Sequence, residues 1–350
     1  MQNWCYQTTK HGLELALFYH LGLQKETIHV MIKANNTQRK SWIKYNNDSD
    51  FPIQNIPFGV FQTKKHKHAQ IGTIIGETVI SLTEMEKDGF FNLIIEENNL
   101  SSGFFSQSIN LNNFLKLGKK IWRDVRDEIA LIFDEKNKNA EKKLNKHFGE
   151  RFLYNQDDVE MLMPCAIGDY TDFYSSKDHA MNVGKMFRDP ENALLPNWSH
   201  IPVGYHGRAS SIVVSGTKIK RPHGQIIPKG EQNPIFGLSK LLDFELEIGF
   251  ITGEGKSLGQ SISTEEAEDY IFGLCLFNDW SARDIQKFEY IPLGPFLGKS
   301  FASSISPWIV TLDALDSFRV PGEKQIPIVQ DYLKYNGLKK YNMDLEVILE

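Results

Sequence analysis

Cysteine is scarce in this chain: Cys5, Cys165 and Cys275 are the only three among 350 residues. Three scattered thiols build neither a disulfide framework nor a thiolate metal centre, and a reducing compartment is expected. Long apolar runs are missing as well. No segment reaches the roughly 18 apolar residues needed to span a bilayer. The stretch LELALFYHLGL is interrupted by Glu14 and His20 and has no basic start, which argues against a secretory signal. A net charge of −5 leaves no electrostatic footprint for nucleic acid. There is no GxSxG nucleophile elbow and no HExxH, and GEGKS has Phe250 where a phosphate loop needs its first glycine. Serine-nucleophile, zincin and phosphate-loop chemistry therefore drop out. A soluble, cytoplasmic protein without nucleic-acid or membrane partners is expected.

Hydrophobic residues make up 41% and charged residues 24%, an ordinary globular balance, and the length suits two domains. Residues 1–47 are polar and weakly patterned and are left unassigned as an N-terminal extension. Residues 48–150 read as a small N-terminal domain. Within it, short β-type runs such as GVFQT and IGTIIGETVISL suit a small antiparallel barrel or sheet, and the basic loop KKHKHAQ reads as solvated. A helix is predicted near 111–133, because Phe114, Leu117, Ile121, Val125, Ile129 and Ile132 recur at three- and four-residue steps. Residues 151–350 read as an irregular, mainly β catalytic domain, with short strands broken by Gly and Pro. The chain ends in MDLEVILE, where Leu345, Val347 and Leu349 alternate with Asp344 and Glu346 like a strand under way. The fold is thus expected to be mainly β with some α, and C-terminally incomplete.

The chemistry-bearing residues gather between Asp169 and Lys299. In LLDFELEIGF, residues two apart share a strand face, so Phe244, Leu246, Ile248 and Phe250 are expected toward the core and Asp243, Glu245 and Glu247 on the other side. The plain reading is an acidic face turned to water. Asp172 in TDFY and Asp279 in FNDW have aromatic neighbours, where an unpaired carboxylate is costly to desolvate unless a cation or donors compensate. Four carboxylates from three segments, without Cys or paired His, suggest one hard cation, Ca2+ or Mg2+ rather than zinc. His179 follows Asp172 by seven residues and is either a surface residue or a base for deprotonating water. Arg283 and Gln286, four and seven residues after Asp279, would share its face if the segment were helical. Lys299 lies in a Gly-rich loop and is as readily a surface lysine as a functional one.

Five strings carry a resemblance: DSDFPIQNIPFGVF, IGDYTDFYSSKDHAMNVGKMFR, ENALLPNWSHIPVGYHGRASSIVVSGT, LDFELEIGF and FNDWSARDIQKFEYIPLGPFLGKSF. From about residue 48 onward the chain resembles the fumarylacetoacetase family. The resemblance implies an SH3-like barrel followed by a larger β-rich catalytic domain, a homodimer when the C-terminal part is present, and hydrolysis of 4-fumarylacetoacetate to fumarate and acetoacetate, the last step of tyrosine and phenylalanine breakdown. It implies calcium ligands at Asp172, Glu245, Glu247 and Asp279, and a magnesium ion near Asp279, Lys299 and Ser303. It implies His179 as general base, with Arg283, Gln286 and Lys299 handling negative charge. Tyr174, Arg188, Tyr205, Gln286 and Tyr290 fall near the substrate, a small diketo acid. The family continues beyond the strand that stops at Glu350, so two alternatives stand beside the hydrolase: an inactive form that serves only as a binding partner, and a metal-dependent β-keto acid decarboxylase or isomerase.

Overall fold

The β-type runs between Phe51 and Ser81 become three antiparallel strands, β1 (Phe58–Thr63), β2 (Gln70–Ile75) and β3 (Thr78–Ser81), in a computed structural model that describes residues 32–65 and 67–349. Cys5 and the apolar stretch at 13–23 lie outside the described residues. Two later strands complete this sheet. β4 (Leu153–Asn155) pairs with β3, and β5 (Val159–Leu162) pairs with β1. Only a short turn joins β4 to β5, so the two outer strands are within about 14 Å of chain of each other and the sheet curls on itself. No ladder joins them. Phe61, Ile74, Val79 and Tyr154 fill one side of the curl.

The predicted single helix is two. A short turn, Asn112–Leu115, precedes the main helix Gly118–Ile132, and Gly118 has φ +80°, which interrupts α-geometry between them. The periodic residues Ile121, Val125, Ile129 and Ile132 are buried as expected, together with Trp122 and Arg126. Residues 33–47, which show no periodic pattern, are held against this helix by polar bonds. Trp42 Nε1 donates to the Ile132 carbonyl at 3.0 Å, the Ala34 amide donates to Asp127 at 2.7 Å, and Arg39 pairs with Asp134 at 2.9 Å.

The remaining strands are short, apart from two. They are β6 (Thr171–Phe173), β7 (Gly204–His206), β8 (Ile212–Val214), β9 (His223–Ile226), β10 (Ile235–Leu238), β11 (Leu242–Asp243), β12 (Leu246–Thr252), β13 (Ile271–Asp279), β14 (Ser281–Ala282), β15 (Ser303–Ile305), β16 (Trp308–Thr311), β17 (Arg319–Val320) and β18 (Lys340–Tyr341). β13 is the organising strand, pairing antiparallel with β12, β15 and β16, while β15 takes β8 in parallel. β16 also pairs with β1, so one ten-stranded sheet runs through both parts of the chain. The aromatic core spans them too: Phe272 of β13 packs on Phe58, Phe114 and Trp122 at centroid distances of 5.5, 5.7 and 5.2 Å. Arg123 grips Asp313 with two bonds of 2.6 and 2.7 Å.

Two expectations fail here. The alternating segment at 344–349 forms no strand, and its apolar residues are exposed, Leu349 at 78%; alternation alone lacks a partner edge. In LLDFELEIGF the expected facing is not kept at two positions, for Phe250 is 49% exposed while Glu245 is 8% exposed, and Phe244, Leu246, Glu247 and Ile248 are all half-buried. Ion pairing, described next, draws the acidic face inward. Among the described residues, no helix is long and apolar enough to cross a membrane.

Candidate functional site

Strand register assembles the site at the end of β13. Asp279 stands opposite Ser303, Leu246 opposite Asn278, and in the separate β6–β7 ladder Asp172 stands opposite Tyr205. Directly opposed residues share a face, and the side chains meet accordingly. The Ser303 hydroxyl donates to Asp279 Oδ1 at 3.0 Å, and the Tyr205 hydroxyl lies 3.0 Å from Asp172 Oδ2 and 3.2 Å from Asp279 Oδ2. Tyr170 adds a second hydroxyl, 3.0 Å from the same Asp172 oxygen. Burial, then the charges of Asp279 and Asp172, push both phenols far above their ordinary range, so they remain donors.

Beside these lies a buried ionic knot. Lys299 Nζ pairs with Glu245 Oε2 and, at 2.6 Å, with Asp279 Oδ2. Arg283 reaches Glu245 Oε1 at 2.7 Å, Asp243 at 2.8 Å and Gln286 Oε1 at 3.0 Å. His179 Nε2 stands 3.3 Å from Glu245 Oε1. Burial alone would raise Glu245, yet the His179 bond and the charges of Lys299 and Arg283 outweigh it and hold this carboxyl well below the usual range. Burial would lower Lys299, but Asp279 and Glu245 prevail and keep it an ammonium. Having no lone pair, Lys299 stands as a neighbour rather than a ligand of any cation. Asp279 is pushed up to about 6, because burial exceeds what Lys299 restores.

Glu247 differs from its neighbours. It accepts no side-chain hydrogen bond among the described residues, and burial together with Asp172, Glu245 and Asp279 pushes it up to about 8. Five carboxylates thus gather around two cationic side chains, and one phenolic hydrogen at Tyr205 stands between two carboxylate oxygens. The donor set is all oxygen and negative, which fits a hard divalent cation. Among the described residues, however, no three acidic, His or Cys side chains close into a finished cage.

The other sequence-derived residues sit around this knot. His179 opens the helix Lys177–Phe187, where the Ser176 hydroxyl caps its amide, and its ring meets Tyr174 edge-on at 5.7 Å. The Tyr174 hydroxyl donates to the Ala180 carbonyl at 2.9 Å. Arg188 spends two donors on the Ala193 carbonyl, at 3.1 and 2.8 Å. Tyr290 ends the helix Arg283–Glu289 that carries Arg283 and Gln286.

Three details correct the sequence reading. Asp279 ends a strand, so it does not share a helical face with Arg283 and Gln286; those two alone are one turn apart. The aromatics that touch Asp172 and Asp279 are Tyr170 and Tyr205. Adjacent Phe173 is 43% exposed, and Trp280 bonds Ser304 instead. Asp243, read only as part of the acidic alternation with Glu245 and Glu247, is an Arg283 partner, and Tyr170 is a site residue that the sequence does not mark. The role of Tyr170 depends on a turn that brings it back to Asp172.

Comparison with known proteins covers both regions of the chain. Residues 54–164 match the model "Fumarylacetoacetase N-terminal" and residues 169–346 match "Fumarylacetoacetate (FAA) hydrolase C-terminal". The fumarylacetoacetase of Dictyostelium discoideum is 48% identical over 313 residues, 89% of this chain and 72% of that protein. Those of Arabidopsis thaliana and Rattus norvegicus are 47% and 46% identical, with the same two coverages. Matched by both family models across most of its length and 46–48% identical to these relatives, the chain belongs to the fumarylacetoacetase family.

Proposed function

We propose that this chain hydrolyses the carbon–carbon bond of fumarylacetoacetate, releasing fumarate and acetoacetate, as the terminal step of tyrosine and phenylalanine breakdown. The observation that carries the reading is the His179–Glu245–Arg283 cluster, a candidate base tied to a buried carboxylate beside two fixed cations. With Nε2 turned to Glu245 at 3.3 Å, His179 offers Nδ1 to take a proton from water. The water oxygen adds to a ketone carbonyl, and the new oxyanion forms beside Arg283, Gln286 and Lys299, donors already fixed in place. Lys299 uses two of its three hydrogens on carboxylates and keeps one for that charge. Cleavage expels an enolate, which is reprotonated to acetoacetate. Asp172, Glu245, Glu247 and Asp279 would hold a calcium ion, with magnesium as the second candidate beside Asp279 and Ser303; such a cation supplies Lewis acidity toward the enolate. By the family resemblance Arg188, Tyr174, Tyr205 and Tyr290 would contact the substrate, with Arg188 suited to a carboxylate.

The test is direct. Purified protein with calcium should consume fumarylacetoacetate, and His179→Ala should lower turnover by roughly 10²-fold or more. Titration calorimetry should show weaker calcium binding by Glu247→Gln. Inert wild-type protein with tight calcium binding would sink the hydrolase reading, and unchanged affinity in the variant would sink the ligand set. A cytoplasmic homodimer is part of the proposal, supported by the exposed apolar group Ile235, Phe236, Leu238 and Leu241; light scattering that returns a monomer mass would remove it.

A further inference from the structure

Glu289 is a buried carboxylate that the proposed chemistry does not use, with only 9% of its surface exposed. Among the described residues no cation pairs with it. Its Oε1 instead accepts the Gly298 amide at 2.6 Å, and its own carbonyl accepts the Gly294 amide at 2.6 Å. The loop 291–298 therefore leaves Glu289 and is brought back onto it. Gly298 lies against Gln286 so closely that a Cβ there would stand 2.8 Å from both the Gln286 amide nitrogen and its Cβ. The next residue is Lys299, whose ammonium lies between Glu245 and Asp279. Within the same loop Phe296 has φ +63° and sets its ring edge-on against Tyr205 at 4.7 Å. One carboxylate thus ties the helix bearing Arg283 and Gln286 to the turn bearing Lys299 and to the ring behind Tyr205.

We propose that Glu289 is a positioning residue, which sets Lys299 against Arg283 and Gln286 by holding the Gly298 amide. A buried carboxylate that accepts backbone amides fixes the loop it holds, as Glu86 does with the amides of Gly103, Phe105 and Ser106. What sets Glu289 apart is the backbone it holds, one residue before Lys299, where the spacing of charged groups matters to a fraction of an ångström. What the site requires is an acceptor at Oε1 rather than a charge, so Gln suffices there and Met, of similar length, does not.

This inference rests on the hydrolase reading, and the experiment separates the two. In Glu289→Met, kcat on fumarylacetoacetate should fall roughly 10–100-fold with KM within about twofold, while Glu289→Gln recovers most of the loss. Amide exchange at Gly298, read by mass spectrometry, should quicken in the Met variant and stay slow in the Gln variant. If Glu289→Met does not fold, Gly298→Ala, which pushes the same backbone off Gln286, should reproduce the kcat loss. Wild-type kcat in Glu289→Met, or equal losses in the Met and Gln variants, overturns the positioning role. Should the wild-type protein lack activity, the hydrolase reading fails, and the exchange rates alone decide whether Glu289 holds the loop: unchanged exchange in the Met variant overturns it.

Discussion

At the scale of single residues, the site is governed by which carboxylates have partners. Glu245 has three and is held ionised, whereas Glu247 has no hydrogen-bond donor among the described residues and is pushed up to about 8. For Glu247 the folded value lies above the ordinary 4.5, so the folded state holds a proton that the unfolded chain releases between about pH 4.5 and 8. Its contribution favours folding below that window and is lost as pH rises through it. In chelator, the melting temperature of wild-type protein should therefore decline from pH 5 toward pH 8 more steeply than that of Glu247→Gln, and calcium should flatten the difference. Parallel melting curves across that range would show that Glu247 is not strained by its neighbours. The types of the cluster residues were legible in the sequence; their partners were not, because Tyr170 and Asp243 reach their sites through a turn and a ladder that no local spacing encodes.

At the scale of elements, local pattern succeeded where burial follows periodicity and failed where charge overrides it. The helix Gly118–Ile132 shows its apolar stripe as read, yet the pattern ran past Gly118 because hydrophobic spacing is blind to φ. No atom lies within 4 Å of a Cβ added at Gly118. Gly118→Ala should then cost only the backbone term, roughly 1 kcal/mol by urea denaturation. No loss of stability would mean that the left-handed joint is not required. The strand β12 gives the opposite lesson. Its apolar residues alternate correctly, but the cations Lys299 and Arg283 on neighbouring segments pull Glu245 into the interior and leave Phe250 half outside.

For the molecule as a whole, residues 54–164 and 169–346 match two family models but share one sheet and one aromatic core. Phe272 belongs to the second region, and its ring packs on Phe58, Phe114 and Trp122 of the first. Phe272→Ala should cost roughly 3–5 kcal/mol. It should also shift the unfolding of both regions together, read by near-ultraviolet and far-ultraviolet dichroism. Two separated transitions, with only one displaced, would show that the regions unfold independently.

Composition and the order of short β-runs were enough to set the class of fold, and residue type the identities of the acidic, basic and imidazole groups, while the family was legible only through the resemblance carried by the five strings from DSDFPIQNIPFGVF to FNDWSARDIQKFEYIPLGPFLGKSF. Three-dimensional packing alone settled which carboxylate binds which cation, that Lys299 stands between Glu245 and Asp279, and that Glu289 anchors the turn before it. The cation pairings follow from hydrogen-bond register and desolvation between residues 20 to 54 apart in the chain, distances over which one-dimensional patterns carry no information about contact, and the Glu289 anchor follows from a loop that returns over 9 residues.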